Sequence, residues 1–186
     1  MTTKRMFISV ELPETVKAML DGLQLESSNI SWLNPDQYHI TIYFLGEINA
    51  GQENEVKKIL SNEMFDFPEI DLKLSAVSIV KGRMIWVEVE DQTGLLQKLY
   101  SELREKIILA KIGEPAREIL APHILLGKSV GHDKLLDQDT TIKDLKNNFK
   151  PFSLKASGVS LFESELRPQG ALHVKVRDFV FGRSHS

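Results

Sequence analysis

The chain has 186 residues, 42% apolar and 26% charged, which suits one ordinary domain with a packed core. It contains no cysteine, which excludes disulfides and thiolate chemistry and favours the cytoplasm. Its net charge of −3 argues against a protein that grips long nucleic acid by its phosphates, so any such contact is expected at a chain end or a small nucleotide.

No apolar run is long enough for a membrane span, and Met1 to Glu11 is too short and interrupted for a signal-peptide core. Arg5 to Leu12 reads as a strand. Pro13 and Glu14 open a helix expected to reach about Glu26, with Val16, Met19, Leu20 and Leu23 at helical spacing. Ile30 to Leu33 is a short extended piece between turns, and Tyr38 to Gly46 is a second strand. Asn49 or Gly51 starts a helix that ends near Met64. Glu69 to Val80 and Arg83 to Val89 read as strands joined by a tight Lys81-Gly82 turn. A helix follows from about Gln92 to Lys111, then a strand around His123, then a helix from Leu135 to Phe149. Phe152 to Phe162 and Ala171 to Phe181 read as the closing strands, with a turn at Arg167 to Gly170 and a frayed tail from Gly182.

The order of elements repeats, and so does some of the sequence. Leu72-Lys73-Leu74-Ser75-Ala76-Val77-Ser78-Ile79 matches Leu154-Lys155-Ala156-Ser157-Gly158-Val159-Ser160-Leu161 at five of eight positions. Arg5-Met6-Phe7-Ile8 resembles Arg83-Met84-Ile85-Trp86, and His39 and His123 fall at nearly equal offsets between these paired segments. Three pairs in register point to a duplicated β-α-β-α-β unit within a single domain, 1–186, with lobes at roughly 5–80 and 83–165 and a last strand over 171–181.

The chemistry centres on two short stretches, His39-Ile40-Thr41-Ile42 and His123-Ile124-Leu125-Leu126. Side chains alternate across a strand, so His39 and Thr41 share one face while Ile40 and Ile42 share the other. A lone histidine on a strand is ordinarily structural. A His-Ile pair repeated at matching points of a duplicated framework is a stronger signal. Imidazole transfers protons near neutral pH. Two of them across a phosphodiester could divide general-base and general-acid work without a metal, and the Thr41 hydroxyl could steady a phosphate oxygen. His132, His173 and His185 lack this setting. A metal hydrolase is disfavoured, because the chain has no His-x-His pair and no cysteine.

These stretches resemble the paired His-x-Thr-x motifs of the 2H phosphoesterase superfamily, above all the LigT-like RNA 2′,3′-cyclic phosphodiesterases, historically called 2′-5′ RNA ligases. The resemblance spans nearly the whole chain: Arg5 to Pro13, Trp32 to Gly46, Arg83 to Trp86, Pro122 to Lys128, and Phe162 to Leu166 with Gly170-Ala171. It implies a bilobed α+β fold, with two pseudo-symmetric lobes whose antiparallel sheets line a central cleft and whose helices lie outside. It also implies hydrolysis of a 2′,3′-cyclic phosphate at an RNA end or nucleotide to a 2′-phosphate, with no cofactor or metal. The resemblance assigns His39 as the acid for the leaving 3′ oxygen and His123 as the base for water; the residues alone leave that choice open. A monomer acting in the cytoplasm is expected.

Leu125 departs from the pattern, standing where the family has Thr on the face of His123. One phosphate-facing hydroxyl should be missing. A binding module for RNA ends that has lost turnover is therefore the competing reading, although binding alone needs neither an acid nor a base. Lys128 could compensate, but alternation places it on the opposite face unless the strand bulges at Gly127. Arg83 and Trp86 are weaker candidates for lining the cleft, and Trp32 and Phe7 could stack a base.

Overall fold

The computed structural model describes residues 2–64, 66–113, 120–130, 136, 140–167 and 170–182. Nine strands and four helices are found among them, as β1 (Thr3–Glu11), α1 (Glu14–Asp21), β2 (Ile30–Trp32), β3 (His39–Asn49), α2 (Ala50–Glu63), β4 (Ile70–Val80), β5 (Met84–Glu90), α3 (Leu95–Leu109), β6 (His123–Ser129), α4 (Thr140–Asn148), β7 (Phe152–Ala156), β8 (Gly158–Arg167) and β9 (Gly170–Val180). The strands form two sheets, ordered β3-β1-β8-β9 and β2-β6-β5-β4-β7, and every recorded pairing is antiparallel.

The two sheets share a run of strands in the same order. The run β3-β1-β8 in one sheet corresponds to β6-β5-β4 in the other. The third strand of each half is exchanged: β4 follows the first half in sequence but pairs with β5, and β8 follows the second half but pairs with β1. The sheets therefore do not divide at residues 80–83.

Alternation works where it was read most directly. Ile40 and Ile42 of β3 are buried, whereas His39 and Thr41 on the other side are half-buried. Helices α2 and α3 pack against β3, burying Val56 and Leu60 of the one and Leu96, Leu99, Leu103 and Ile107 of the other. Fully burying one such Val, Leu or Ile is worth about 1.5–3 kcal/mol. Helix α2 starts with a capping box, in which Asn49 Oδ1 accepts from the Gln52 amide at 3.0 Å and Gln52 Oε1 accepts from the Asn49 amide at 3.0 Å.

Several boundaries differ from the sequence reading. Helix α1 stops at Asp21, where Gly22 supplies the C-cap, so Leu23 to Glu26 leave the helix. Helix α3 begins only at Leu95, because Gly94 sits in the left-handed region at φ 73°. Phe152 to Phe162 is not one strand. The chain crosses from one sheet to the other between Ala156 and Gly158, and a Cβ at Gly158 would lie 2.4 Å from the Phe179 carbonyl oxygen. Only glycine lets these two backbones approach so closely. His132, the first turn expected of the Leu135 helix, Pro168-Gln169 and the tail from Arg183, His185 included, lie outside the described residues.

Candidate active site

Strands β3 and β6 approach each other between the two sheets. The space beside them is a cavity of about 380 Å³ whose lining includes His39, Thr41, His123, Leu125 and Lys128. Of the residues singled out from the sequence, these five are thus brought together with Phe7 and Trp32, while Trp86 is not on the lining. Arg83 is not among the lining residues. It sits half-buried at the start of β5, where its carbonyl accepts from the Ser129 amide at 2.8 Å.

The two histidines are held alike. His39 Nδ1–H donates to the Gln37 carbonyl at 2.6 Å, and His123 Nδ1–H donates to the Ala121 carbonyl at 2.8 Å. In each case the acceptor is two residues upstream. The carbonyl fixes the proton on Nδ1 and leaves Nε2 as the nitrogen for chemistry. On His39 that lone pair accepts from the Thr41 hydroxyl at 3.0 Å. Gln37 is itself anchored, since its side-chain amide donates to the Ala171 carbonyl of β9 at 2.5 Å.

Their surroundings differ. The His39 ring lies 5.0 Å from Phe7 and 5.1 Å, edge to face, from His173. Burial among these rings pushes its pKa down to about 4, against the opposing bond to Gln37. His123 stacks on Trp86, with centroids 3.5 Å apart and planes 12° apart, and burial lowers its pKa as well. A stacked indole favours the cationic form of the ring above it.

His39 carries a stability consequence. The unfolded chain takes up its proton near the unperturbed value of about 6.5, whereas the folded chain does so only near 4. The stability tied to the neutral ring is fully present above about pH 6.5 and is lost as pH falls toward 4, by up to about 3 kcal/mol. Urea midpoints measured from pH 7 to pH 4 should fall for the wild type and fall less steeply for His39→Asn. Equal slopes would contradict this environment for His39.

The placement of Lys128 turns on a bulge. Opposite β5, Trp86 pairs with Leu125 but Ile85 pairs with Gly127, so Leu126 is extra. The parity of β6 changes there. Lys128 consequently reaches the cavity and stays exposed, while Ile124, Leu126 and Gly127 are buried.

The structure adds residues that strand patterns did not single out. His173 of β9 lines the cavity and meets both His39 and Phe7, with its Nδ1 buried and unbonded among the described residues. Arg5 and Phe44 also line it, and Phe44 is 61% exposed. Trp32 is on the wall with its indole N–H donating to the Leu25 carbonyl at 3.0 Å, and Phe7 is buried beneath His39. In an acidic chain, the cavity carries Arg5, Lys128 and three histidines, and no Asp or Glu among its described lining residues. An anion is the ligand such walls favour. Among the described residues, no group of three or more His, Asp or Glu side chains gathers where a metal ion could be held.

Comparison with known proteins agrees with this geometry. The family model described as LigT like Phosphoesterase matches residues 7–86. A protein of Thermotoga maritima named RNA 2′,3′-cyclic phosphodiesterase is 26% identical over 177 residues, covering 91% of each chain. The crystal structure of TT0787 of Thermus thermophilus superposes with a TM-score of 0.76 at 19% identity, covering 97% of this chain and all of that one. Escherichia coli LigT complexed with 3′-AMP superposes with a TM-score of 0.74 at 16% identity, covering 98% of this chain and all of that one. The fold, the paired histidine strands and the sequence matches agree: this chain is similar to the LigT-like phosphoesterases in sequence and shares their fold.

Proposed function

We propose that this protein opens 2′,3′-cyclic phosphodiester ends of RNA to 2′-phosphomonoesters, with His39 and His123 as a metal-free acid–base pair. The observation that carries the reading is the matched pair of imidazoles, each with Nδ1–H tied to a backbone carbonyl, in one cavity with no carboxylate among its described lining residues. The name of the Thermotoga maritima relative supports the same substrate class.

The step divides as follows. One Nε2 removes a proton from water as its oxygen attacks phosphorus. The P–O3′ bond breaks, and the other imidazole gives its Nε2 proton to the departing 3′ oxygen. The family resemblance makes His123 the base and His39 the acid. His39, with a pKa of about 4, is neutral at pH 7. An anionic phosphate drawn beside it favours the imidazolium and raises that value, so the acid is charged by the arrival of its substrate. The Thr41 hydroxyl, bonded to His39 Nε2, then turns to a phosphate oxygen, and Lys128 supplies a fixed positive charge. The same pair acting on a 5′-hydroxyl and a cyclic end, in place of water, would form a 2′-5′ linkage.

The test is incubation of EDTA-treated protein with cyclic phosphates on mononucleotides and on short RNA, resolving 2′- from 3′-phosphate products. Formation of 2′-phosphate, undiminished by EDTA, is the expected result. Ligand binding without product would favour the competing reading, a recognition module disabled by Leu125.

A further inference from the structure

Three imidazoles line the cavity, and the third is held the other way round from the first two. His173 stands on β9 across the ladder from Ser164, and both residues line the cavity. β9 is fastened to the residue that anchors His39. Gln37 accepts from His39 Nδ1–H through its carbonyl, and its side-chain amide donates to the carbonyl of Ala171, two residues from His173 on the same face. The half-buried His173 ring thereby meets His39 at 5.1 Å and Phe7 at 4.9 Å between centroids, both edge to face.

The protonation of this ring follows from which nitrogen is closed off. His39 and His123 each place Nδ1–H on a carbonyl and turn a bare Nε2 to the cavity. His173 Nδ1 is buried with no partner among the described residues, whereas its Nε2 is not closed off in this way. A buried N–H without an acceptor is rarer, and costlier, than a buried acceptor without a donor. The proton of the neutral ring therefore sits on Nε2, and Nδ1 keeps its lone pair. Burial lowers the pKa of His173, and a charged His39 beside it would oppose a second charge, so the ring stays neutral at pH 7.

A neutral ring with Nε2–H cannot take a proton from water at that nitrogen, and without a charge it is a weak acid for a departing oxygen. What it can do is donate a hydrogen bond where negative charge builds on phosphorus-bound oxygen. The cavity has use for such a donor. Leu125 offers no hydroxyl beside His123, and the Thr41 hydroxyl is engaged with His39 Nε2.

We infer that His173 is a third catalytic residue, which donates its Nε2–H to a non-bridging phosphate oxygen as a neutral imidazole. The inference rests on the proposed reading of the histidine site and supplies the donor that Leu125 lacks.

The experiment has two arms. In the first, long-range proton–nitrogen NMR spectra of the wild type at pH 7 read the tautomer of each ring. His39 and His123 are expected as Nδ1–H and His173 as Nε2–H, with the His173 signals moving as cytidine 2′-phosphate is added. The second arm compares wild type, His173→Phe and His173→Gln in single-turnover rates on cytidine 2′,3′-cyclic phosphate and in calorimetric affinity for cytidine 2′-phosphate. Phe keeps a ring against Phe7 and His39 without a donor; Gln gives up the ring and keeps an N–H. His173→Phe should lose about 10²-fold in rate and about tenfold in affinity, and His173→Gln should recover most of both losses. Thermal unfolding recorded alongside shows that each variant is folded, and the wild-type tautomer decides the matter for any that is not. An Nδ1–H tautomer at His173, a Phe variant as fast as wild type, or a folded Gln variant no better than Phe would overturn the inference. Absence of turnover by the wild type would refute the proposed activity alone, and the tautomer and the affinities would still decide the role of His173.

Discussion

Replacing His39 or His123 by Ala lowers kcat/KM on a cyclic phosphate by about 10²–10⁴-fold, the range general acid–base groups ordinarily supply. Both losses are expected because both imidazoles present Nε2 to one cavity. The double variant should be little worse than either single one, since a proton relay missing one partner has already lost its cycle. His39→Ala leaves a gap beside Phe7 and His173, so thermal unfolding must be recorded with it to separate lost chemistry from lost fold. The pH dependence adds a check with a definite sign. Burial lowers the pKa of both histidines, so both limbs of the kcat/KM profile should lie to the acid side of 6.5, more acidic than two unperturbed imidazoles would give. A profile rising through neutrality with one limb would contradict paired roles. Retention of more than a tenth of the wild-type rate by either Ala variant would do the same.

The second large effect concerns the hydroxyls flanking the phosphate. Thr41→Val keeps the shape of the side chain and removes the hydroxyl that now bonds His39 Nε2 at 3.0 Å. If that hydroxyl turns to a phosphate oxygen as charge builds there, kcat falls about 10²–10³-fold. The converse change is Leu125→Thr. Leu125 lines the same cavity and is half-buried, so the exchange places a donor beside His123 without emptying a core site. It is expected to raise kcat, with KM less affected. Single-turnover rates of the two variants beside wild type would measure both. A faster Thr41→Val or a slower, well-folded Leu125→Thr would show that the phosphate is not held between these two positions.

Much of this site was legible from the sequence because strand alternation is a local rule. The period of two put His39 and Thr41 opposite Ile40 and Ile42, and the structure keeps them so. Where the rule breaks, the sequence is silent. The extra residue at Leu126 carries Lys128 to the cavity, but a bulge is defined by its partner strand, and β5 is distant in the chain. His173 was set aside because it is not part of the repeated His-Ile pair, and the pattern of its own strand does not recover it. Reading Leu172, Val174 and Val176 as an inward apolar row would turn His173 outward, yet Leu172 and Val174 are 38% and 39% exposed, and the row shifts where Val176 is skipped in the β8–β9 register. Only the pairing of His173 with Ser164 places it on the cleft side, and no periodicity within β9 announces that pairing. Arg5 was read as part of an opening strand and of the internal match to Arg83, and strand pattern alone does not place it on the cavity wall.

The exchange of third strands has a consequence for how the molecule assembles. Met6 pairs with Glu163, and Ile70 pairs with Ala156, so each sheet closes only when distant parts of the chain have been made. A fragment ending near Val80 would carry β4 with neither of its neighbours, and would leave β1 with one open edge. The two halves cannot fold in turn as independent units, as an end-to-end duplication could. Long-range ladders of this kind slow the search for the native state, since loop-closure entropy must be overcome before any contact stabilises it. What the interlock provides is stiffness. The chain passes between the sheets at β1–β2, β2–β3, β3–β4 and β7–β8, and the spacing between its histidines becomes a property of the whole fold.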